Sequence, residues 1–329
     1  MSRPSKPALP LKEGVSASAV ACPAGPWRLV VDFLAQRLPK VQRDDWLARM
    51  ARGEVRDAAG AALPPDAPYR SGTRLFYWRW LPTEPVVPFE EGIVFQDELL
   101  LVADKPHFLS VTPKGRWVQQ TLLTRLVRRT GIETLTPIHR IDRETAGLVV
   151  FSIQPSTRDA YQRLFKERRV KKHYQAIAPY RADLALPMTY ASRLVERADA
   201  FMQMSEAPGE PNAQTHIALI EHDAGFGRYA LAPVTGRKHQ LRVQMSALGL
   251  PIVGDRIYPQ LLPEEVEPDF SAPLQLLACE IGFVDPVTGL QRHFKSTQRL
   301  CLPAAARDSE RNTQVRCEHL GARTEGLAE

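Results

Sequence analysis

The chain has 329 residues, room for one large domain and a small one. Apolar residues make up 44% and charged residues 24%, which excludes a disordered or collagen-like chain and fits a soluble globular one. Lys plus Arg is 43 and Asp plus Glu is 37, so the net charge of +6 is a modest excess that suits a polyanionic partner and says nothing of fold.

Residues 1–26 are rich in Pro, Ser and Ala and read as a mobile tail. Within it, Ala19-Val20-Ala21-Cys22 has the letters of a lipoprotein cleavage box, but Pro10, Lys12 and Glu13 break the apolar stretch that should precede it. No apolar run reaches the ~18 residues of a membrane span, so the expectation is a cytoplasmic protein with no membrane partner. Leu29, Val30, Phe33, Leu34 and Leu38 recur at helical spacing, and Pro39 ends the run. Arg43 to Arg52 fits a second helix with Trp46, Leu47 and Met50 on one face and Gly53 as its cap. Val55, Tyr69 and Leu75 to Trp78 read as short strands. Residues 27–80 are thus a small α/β unit whose helices carry Arg37, Lys40, Arg43, Arg49 and Arg52, a surface for phosphates or a solvated face.

Residues 81–91, with Pro82, Pro85 and Pro88 among acidic residues, read as a linker, and residues 92–303 as the large domain. Ile93–Phe95 and Leu99–Val102 read as strands. Trp117–Thr130 reads as an amphipathic helix with Arg125, Arg128 and Arg129 outward and Gly131 capping it. Ser156–Arg168 is expected as a helix with Ser156 and Asp159 at capping-box spacing. Val170–Ala178 alternates as a strand, with Lys172 and Tyr174 on one face. His239–Leu248 reads as a helix, and Leu276–Phe294 as a hairpin around Asp285-Pro286. Loops at 206–212 and 259–273 differ in style from the rest, and residues 304–329 read as a disordered tail. Strands outnumber helices without alternating with them, so the class is α+β. The four cysteines form no CxxC pair, and Cys317 with His319 lacks a second pair of ligands, so no metal or cofactor is expected.

The chain is organised around Pro137–Ser152, PIHRIDRETAGLVVFS. A dense charged loop (His139, Arg140, Asp142, Arg143, Glu144) runs into the apolar stretch Leu148–Phe151, which has the length and branching of a buried strand. Such a loop holds polar side chains at the mouth of a core, and Asp142 is the candidate reactive carboxylate.

Two further stretches share the pattern: Thr235-Gly236-Arg237-Lys238-His239-Gln240-Leu241-Arg242-Val243, continuing to Gly254-Asp255, and Lys172-His173-Tyr174 between. Together with Leu100–Pro106 they resemble the RluA-type pseudouridine synthases over roughly residues 89–300, several ordered motifs with matching gaps. The resemblance implies a pseudouridine synthase fold, with a mixed, mostly antiparallel sheet flanked by helices. It implies isomerisation of uridine in ribosomal or transfer RNA, with Asp142 as catalytic aspartate, Tyr174 as active-site tyrosine and Arg242 as the basic partner. The residue types make chemical sense. A nucleophilic carboxylate must be ionised, burial opposes ionisation, and a guanidinium restores it and aims the group. Tyr174 is expected to stack on the flipped uracil and move a proton. His139, Arg140, Lys172, Arg237, Lys238 and His239 are the expected RNA contacts, with Arg140 the choice to fill the gap left by the flipped base. His107 and His239 also have a structural reading, as backbone-contacting residues. Phe33-Leu34, Arg37-Leu38-Pro39, Gly53-Glu54-Val55 and Gly72-Thr73 resemble a degenerate copy of the RNA-binding module named after ribosomal protein S4. The sequence departs from the RluA pattern at Ala146, Gln244 and Asp285, which puts substrate identity, not the reaction, in question. A monomer is expected.

Two rivals remain. A glycosidase using Asp142 and Glu144 would release uracil. A non-catalytic RNA-binding protein would have no need of the retained Asp, Tyr and Arg. A kinase-like reading of His-Arg-Ile-Asp fails, since a kinase loop has Asp directly after Arg and a glycine-rich loop upstream.

Overall fold

A computed structural model describes residues 9–79, 84–197, 203–263 and 267–302. The first eight residues, the tail expected at 304–329 and its Cys317 and His319 lie outside them.

The small unit comprises β1 (Ser18–Ala21), α1 (Val30–Arg37), α2 (Arg43–Ala51), β2 (Val55–Arg56) and β3 (Arg74–Tyr77). Val31, Phe33 and Leu34 of α1 pack on Trp46 and Met50 of α2 and on Leu75 of β3. Strand β1 falls inside the segment expected to be a mobile tail. It pairs antiparallel with β3, Ser18 opposite Tyr77, and Cys22 beyond it is buried. Its Ser-Ala-Val-Ala sequence hides the strand, because the ladder with β3 holds it while Val20 alone of its side chains packs on the unit's core. The basic face is also smaller than expected: Arg49 is 8% exposed, with its guanidinium 5.1 Å from the Trp46 ring.

The described part of the expected linker is a packed strap. Val87 is buried, Arg125 donates to the carbonyls of Phe89 (2.6 Å) and Val87 (2.7 Å), and Arg129 donates to that of Glu91 (2.9 Å). Arg125, expected outward, is thus turned onto the strap. The Glu84 carboxylate accepts three consecutive backbone N–H groups, of Val118, Gln119 and Gln120, at 2.7–2.8 Å. Those amides are therefore not helical, and the helix expected from Trp117 starts later.

The large domain is built on β4 (Gly92–Gln96), β5 (Leu100–Lys105), α3 (Leu122–Thr130), β6 (Thr136–Pro137), β7 (Ala146–Ser152), α4 (Arg158–Lys166) and β8 (Lys171–Pro179). It continues with β9 (Met188–Glu196), β10 (Met204–Ala207), β11 (Ala213–Asp223), β12 (Phe226–Pro233), α5 (Gln240–Ala247), β13 (Leu276–Val284) and β14 (Gln291–Lys295). Among the described residues the strands form one 11-stranded sheet in the order β10-β9-β11-β12-β8-β13-β7-β5-β4, with β14 on β13 and β6 on β7. Its pairings are antiparallel except β13 with β7, as expected for the α+β class.

Every residue of β7 is buried, because β5 and β13 flank it and side chains cover both faces. Gly147 has φ +108°, and a Cβ there would run into the Ala278 carbonyl of β13. Helix α4 buries Tyr161 and Leu164, but the capping box at Ser156 and Asp159 does not form. Thr157 is the N-cap, and its hydroxyl donates to the Gln154 carbonyl instead of accepting. Leu241 and Met245 of α5 pack on Ala176, Ile217, Tyr229 and Leu231 of β8, β11 and β12. Asp104, 2% exposed, accepts from Ser296, Thr297 and Gln298 and latches the chain after β14 onto β5.

The departures at Gln244 and Asp285 belong to this framework. Gln244 is fully buried between Thr215 and Ser192. Asp285 binds Tyr161, the Val287 amide and Arg292 at the hairpin turn, about 23 Å along the strand from Ala278. Both are thus held inside the framework by their own side-chain partners.

Candidate active site

The charged loop between β6 and β7 is fixed from the core side. Lys105 is fully buried, and its ammonium donates to the carbonyls of Pro106 (2.9 Å) and Arg143 (3.0 Å). Burial drives its pKa down to about 7, although Glu144 and Asp142 pull the other way. His107 Nδ1 donates to the Glu144 carbonyl at 2.8 Å, the backbone-contacting role expected of it. Next to it, Phe108 is held at φ +63° within an aromatic cluster with Phe89 and Phe270, a strained backbone for a bulky residue. On the outer side the Arg143 guanidinium lies 4.9 Å from the Trp117 ring.

His139 has a bracing role that sequence alone did not give it. Its Nε2 accepts the Val150 N–H at 3.1 Å and its ring stacks on Phe165, with centroids 4.5 Å apart. Burial, with Lys172 nearby, pushes its pKa down to about 3. It braces the loop against β7 and α4 and is half-buried.

Arg242 is 1% exposed. It arrives on α5 because Leu241 and Met245 on the same helix are drawn into the core. Its Nη1 lies 3.2 Å from Asp142 Oδ2 across a separation of 100 residues. Nε and Nη2 make a bidentate pair with Asp255 at 2.8 and 2.7 Å, and Glu144 is 3.8 Å from Nη1. Burial lowers the Arg242 pKa, and the Asp255 hydrogen bonds and charge, with Asp142 and Glu144, more than reverse this. The Asp255 side chain is fully buried and also accepts the amides of Ile257 (2.8 Å) and Tyr258 (3.0 Å). Asp255 appears in the sequence only as part of a Gly-Asp pair, and its partnership with Arg242 was not expected. The signal for it is an acid between apolar Ile252-Val253 and Ile257, where a buried carboxylate needs a buried cation.

The Asp142 side chain stays 29% exposed, open to a substrate. Tyr174 on β8 lies between Ala278 and Leu231 of the neighbouring strands. Burial raises its pKa, and the Asp142 charge adds to the rise. The structure therefore brings Asp142, Tyr174 and Arg242 together. His239 is also here and not on the surface: its side chain is 9% exposed, 3.9 Å from Asp142 Oδ1. Its Nδ1 is 3.0 Å from the Tyr258 hydroxyl. Arg140, Arg237 and Lys238 are exposed around the site, and Lys172 is half-buried with its ammonium on the Thr235 carbonyl at 3.0 Å. Gln240 holds the turn that carries Arg237, binding Thr235, the Arg237 amide and Gln214.

Comparison with known proteins bears on what this arrangement does. A family model described as RNA pseudouridylate synthase matches residues 99–247, the segment that holds Asp142, Tyr174 and Arg242. The dual-specificity RNA pseudouridine synthase RluA of Haemophilus influenzae is 33% identical over 214 residues, 62% of this chain and 91% of that one. The chain belongs to the RluA-type pseudouridine synthases. An uncharacterized RNA pseudouridine synthase of Synechocystis sp. is 29% identical to this RluA-type synthase over 234 residues, 70% of this chain and 79% of that one. Among solved structures, human RNA Pseudouridylate Synthase Domain Containing 1 matches it with a TM-score of 0.53 and 25% identity, over 66% of this chain and 86% of that one. The RluA-type synthase is an RNA-modifying isomerase, and the glycosidase and non-catalytic readings are not favoured. Among its described residues no helix is long and apolar enough to cross a membrane.

Proposed function

We propose that Asp142 is the reacting carboxylate of an RNA uridine isomerase, that Arg242 holds it ionised and aimed, and that Tyr174 lies against the target base. The observation that carries this reading is the 3.2 Å contact between Arg242 Nη1 and Asp142 Oδ2, within the family-matched segment and beside a carboxylate still open to solvent. The net reaction breaks the C1′–N1 bond and forms C1′–C5. C5 loses its hydrogen and N1 gains one, so mass is unchanged. Asp255 supports the assignment of roles. It already matches the Arg242 charge, so Asp142 is oriented by a guanidinium whose charge is not its alone, and it stays reactive. The target base leaves its stack to reach the site, at a cost of a few kcal/mol. Arg140 fills the gap the base leaves, and Lys172, Arg237 and Lys238 hold the backbone around it. We further propose that the RNA is structured ribosomal or transfer RNA, that residues 27–80 act as an S4-like RNA-binding module, and that the enzyme works as a cytoplasmic monomer.

The test compares RNA from cells carrying the wild-type enzyme with RNA from cells carrying Asp142→Ala, by carbodiimide mapping of pseudouridine. One or a few pseudouridine signals disappear in the variant, and those sites are the substrate. A map that keeps every signal overturns the assignment, and free uracil or abasic sites made by the wild type would revive the glycosidase.

A further inference from the structure

His239 stands immediately before α5 with a left-handed backbone, φ +55°, which is strained for a histidine and persists only where the surroundings fix it. Tyr258 is the contact that fixes the ring. Its phenolic oxygen accepts the Met204 N–H at 2.7 Å, so its own proton goes to the acceptor beside it, His239 Nδ1 at 3.0 Å. A neutral imidazole that accepts at Nδ1 carries its hydrogen on Nε2. Nε2 is the atom that faces Asp142 Oδ1, at 3.9 Å, while Arg242 takes Oδ2.

We infer that His239 is a positioning residue for Asp142: Tyr258 sets its tautomer, and its Nε2–H steadies Oδ1 while Arg242 steadies Oδ2. This rests on Asp142 being the reacting carboxylate. The 3.9 Å gap is just beyond hydrogen-bond reach and closes by a turn of the carboxyl group when RNA engages. Neutrality is essential. An imidazolium here would pair with Asp142 and quench it, whereas a neutral N–H orients the carboxylate and leaves its charge available. The groups facing the ring are Asp142 and Glu144 from the charged loop, Lys238 and Arg242 from the chain around α5, and Tyr258 from the segment after Gly254. Burial lowers the imidazole pKa and the Asp142 charge only partly restores it, so the ring is neutral at pH 7.

The test follows tritium release from [5-³H]uridine-labelled total RNA of a strain lacking the enzyme, with the full-length protein, over pH 5.5–8. His239→Leu lowers kcat about tenfold with KM little changed, and His239→Gln, whose amide carries a donor near the Nε2 position, recovers most of the loss. Tyr258→Phe removes the hydrogen bond that favours the neutral ring and moves the acid limb of kcat upward by up to about one pH unit. A kcat and pH profile unchanged in His239→Leu and Tyr258→Phe, while Asp142→Asn is inactive, overturns the inference alone. A raised KM with kcat kept would make His239 an RNA contact and overturns it too. So does a pH-independent loss that tracks a falling melting temperature. Activity in Asp142→Asn overturns the reading beneath it.

Discussion

Asp255→Asn separates what the buried ion pair does for the fold from what it does for Asp142. The substitution keeps the shape of the side chain, and its carbonyl oxygen still accepts the Ile257 and Tyr258 amides, so the turn is preserved. What is lost is the charge opposite a guanidinium that is 1% exposed. Breaking a buried pair from one side costs about 3–5 kcal/mol. Asp142 remains 3.2 Å from Nη1 as a second partner, which puts the cost near the lower end, about 3 kcal/mol. In a domain of this size that lowers the melting temperature by about 6–12 °C. The guanidinium charge then falls chiefly on Asp142, with Glu144 farther off at 3.8 Å, and ties the carboxylate down, so kcat drops by at least about tenfold. Differential scanning fluorimetry and the tritium-release assay read the two effects. Asp183→Asn, in an exposed ion pair with Arg181, is the control and leaves both unchanged. An Asp255→Asn protein that melts within about 2 °C of the wild type at full activity refutes the argument.

Lys105→Met tests the buried ammonium. The folded-state pKa near 7 lies below the unfolded value of ~10.4, so between these the unfolded chain binds a proton that the folded chain releases. Wild-type stability, taken relative to the variant, therefore rises with pH from about 7 to about 10, at up to about 1.4 kcal/mol per unit, and is flat below 7. Urea denaturation of both proteins at pH 7, 8 and 9 measures this, and a difference that stays constant excludes a neutral buried lysine. Arg140→Ala lowers turnover on duplex RNA more than on an unpaired target, as expected of a residue that compensates for the flipped base. Equal losses on the two substrates count against that role.

The elements that sequence periodicity encodes are the ones that were legible. Leu148–Phe151 announced β7, the amphipathic run Trp117–Thr130 announced α3, and His239–Leu248 announced α5, which delivers Arg242. Family resemblance then paired Arg242 with Asp142. Partner choice was less legible. Apolar pattern states which side chains leave water, not which charge meets them there. Arg125 and Arg49 therefore read as surface residues and are turned inward. Asp255 read as one letter of a motif and is the main counter-ion of Arg242. His139 and His239 stand close in sequence to Asp142 and Arg242 and read as RNA contacts, His239 with a structural reading beside it. Each is held by a bond local sequence does not encode, to the Val150 amide and to the Tyr258 hydroxyl.

The three amides gathered by Glu84 bear on where the enzyme can be divided. Composition would place the cut between its two parts near residue 92. A fragment starting there would lose the acceptor for three adjoining donors, together with Val87, which fills part of the core under α3. Trp117, the ring beneath Arg143, directly precedes those amides. A shortened enzyme would be loosened one residue from Asp142 without any change to its reacting groups. The practical boundary of the isomerase therefore lies upstream of Glu84.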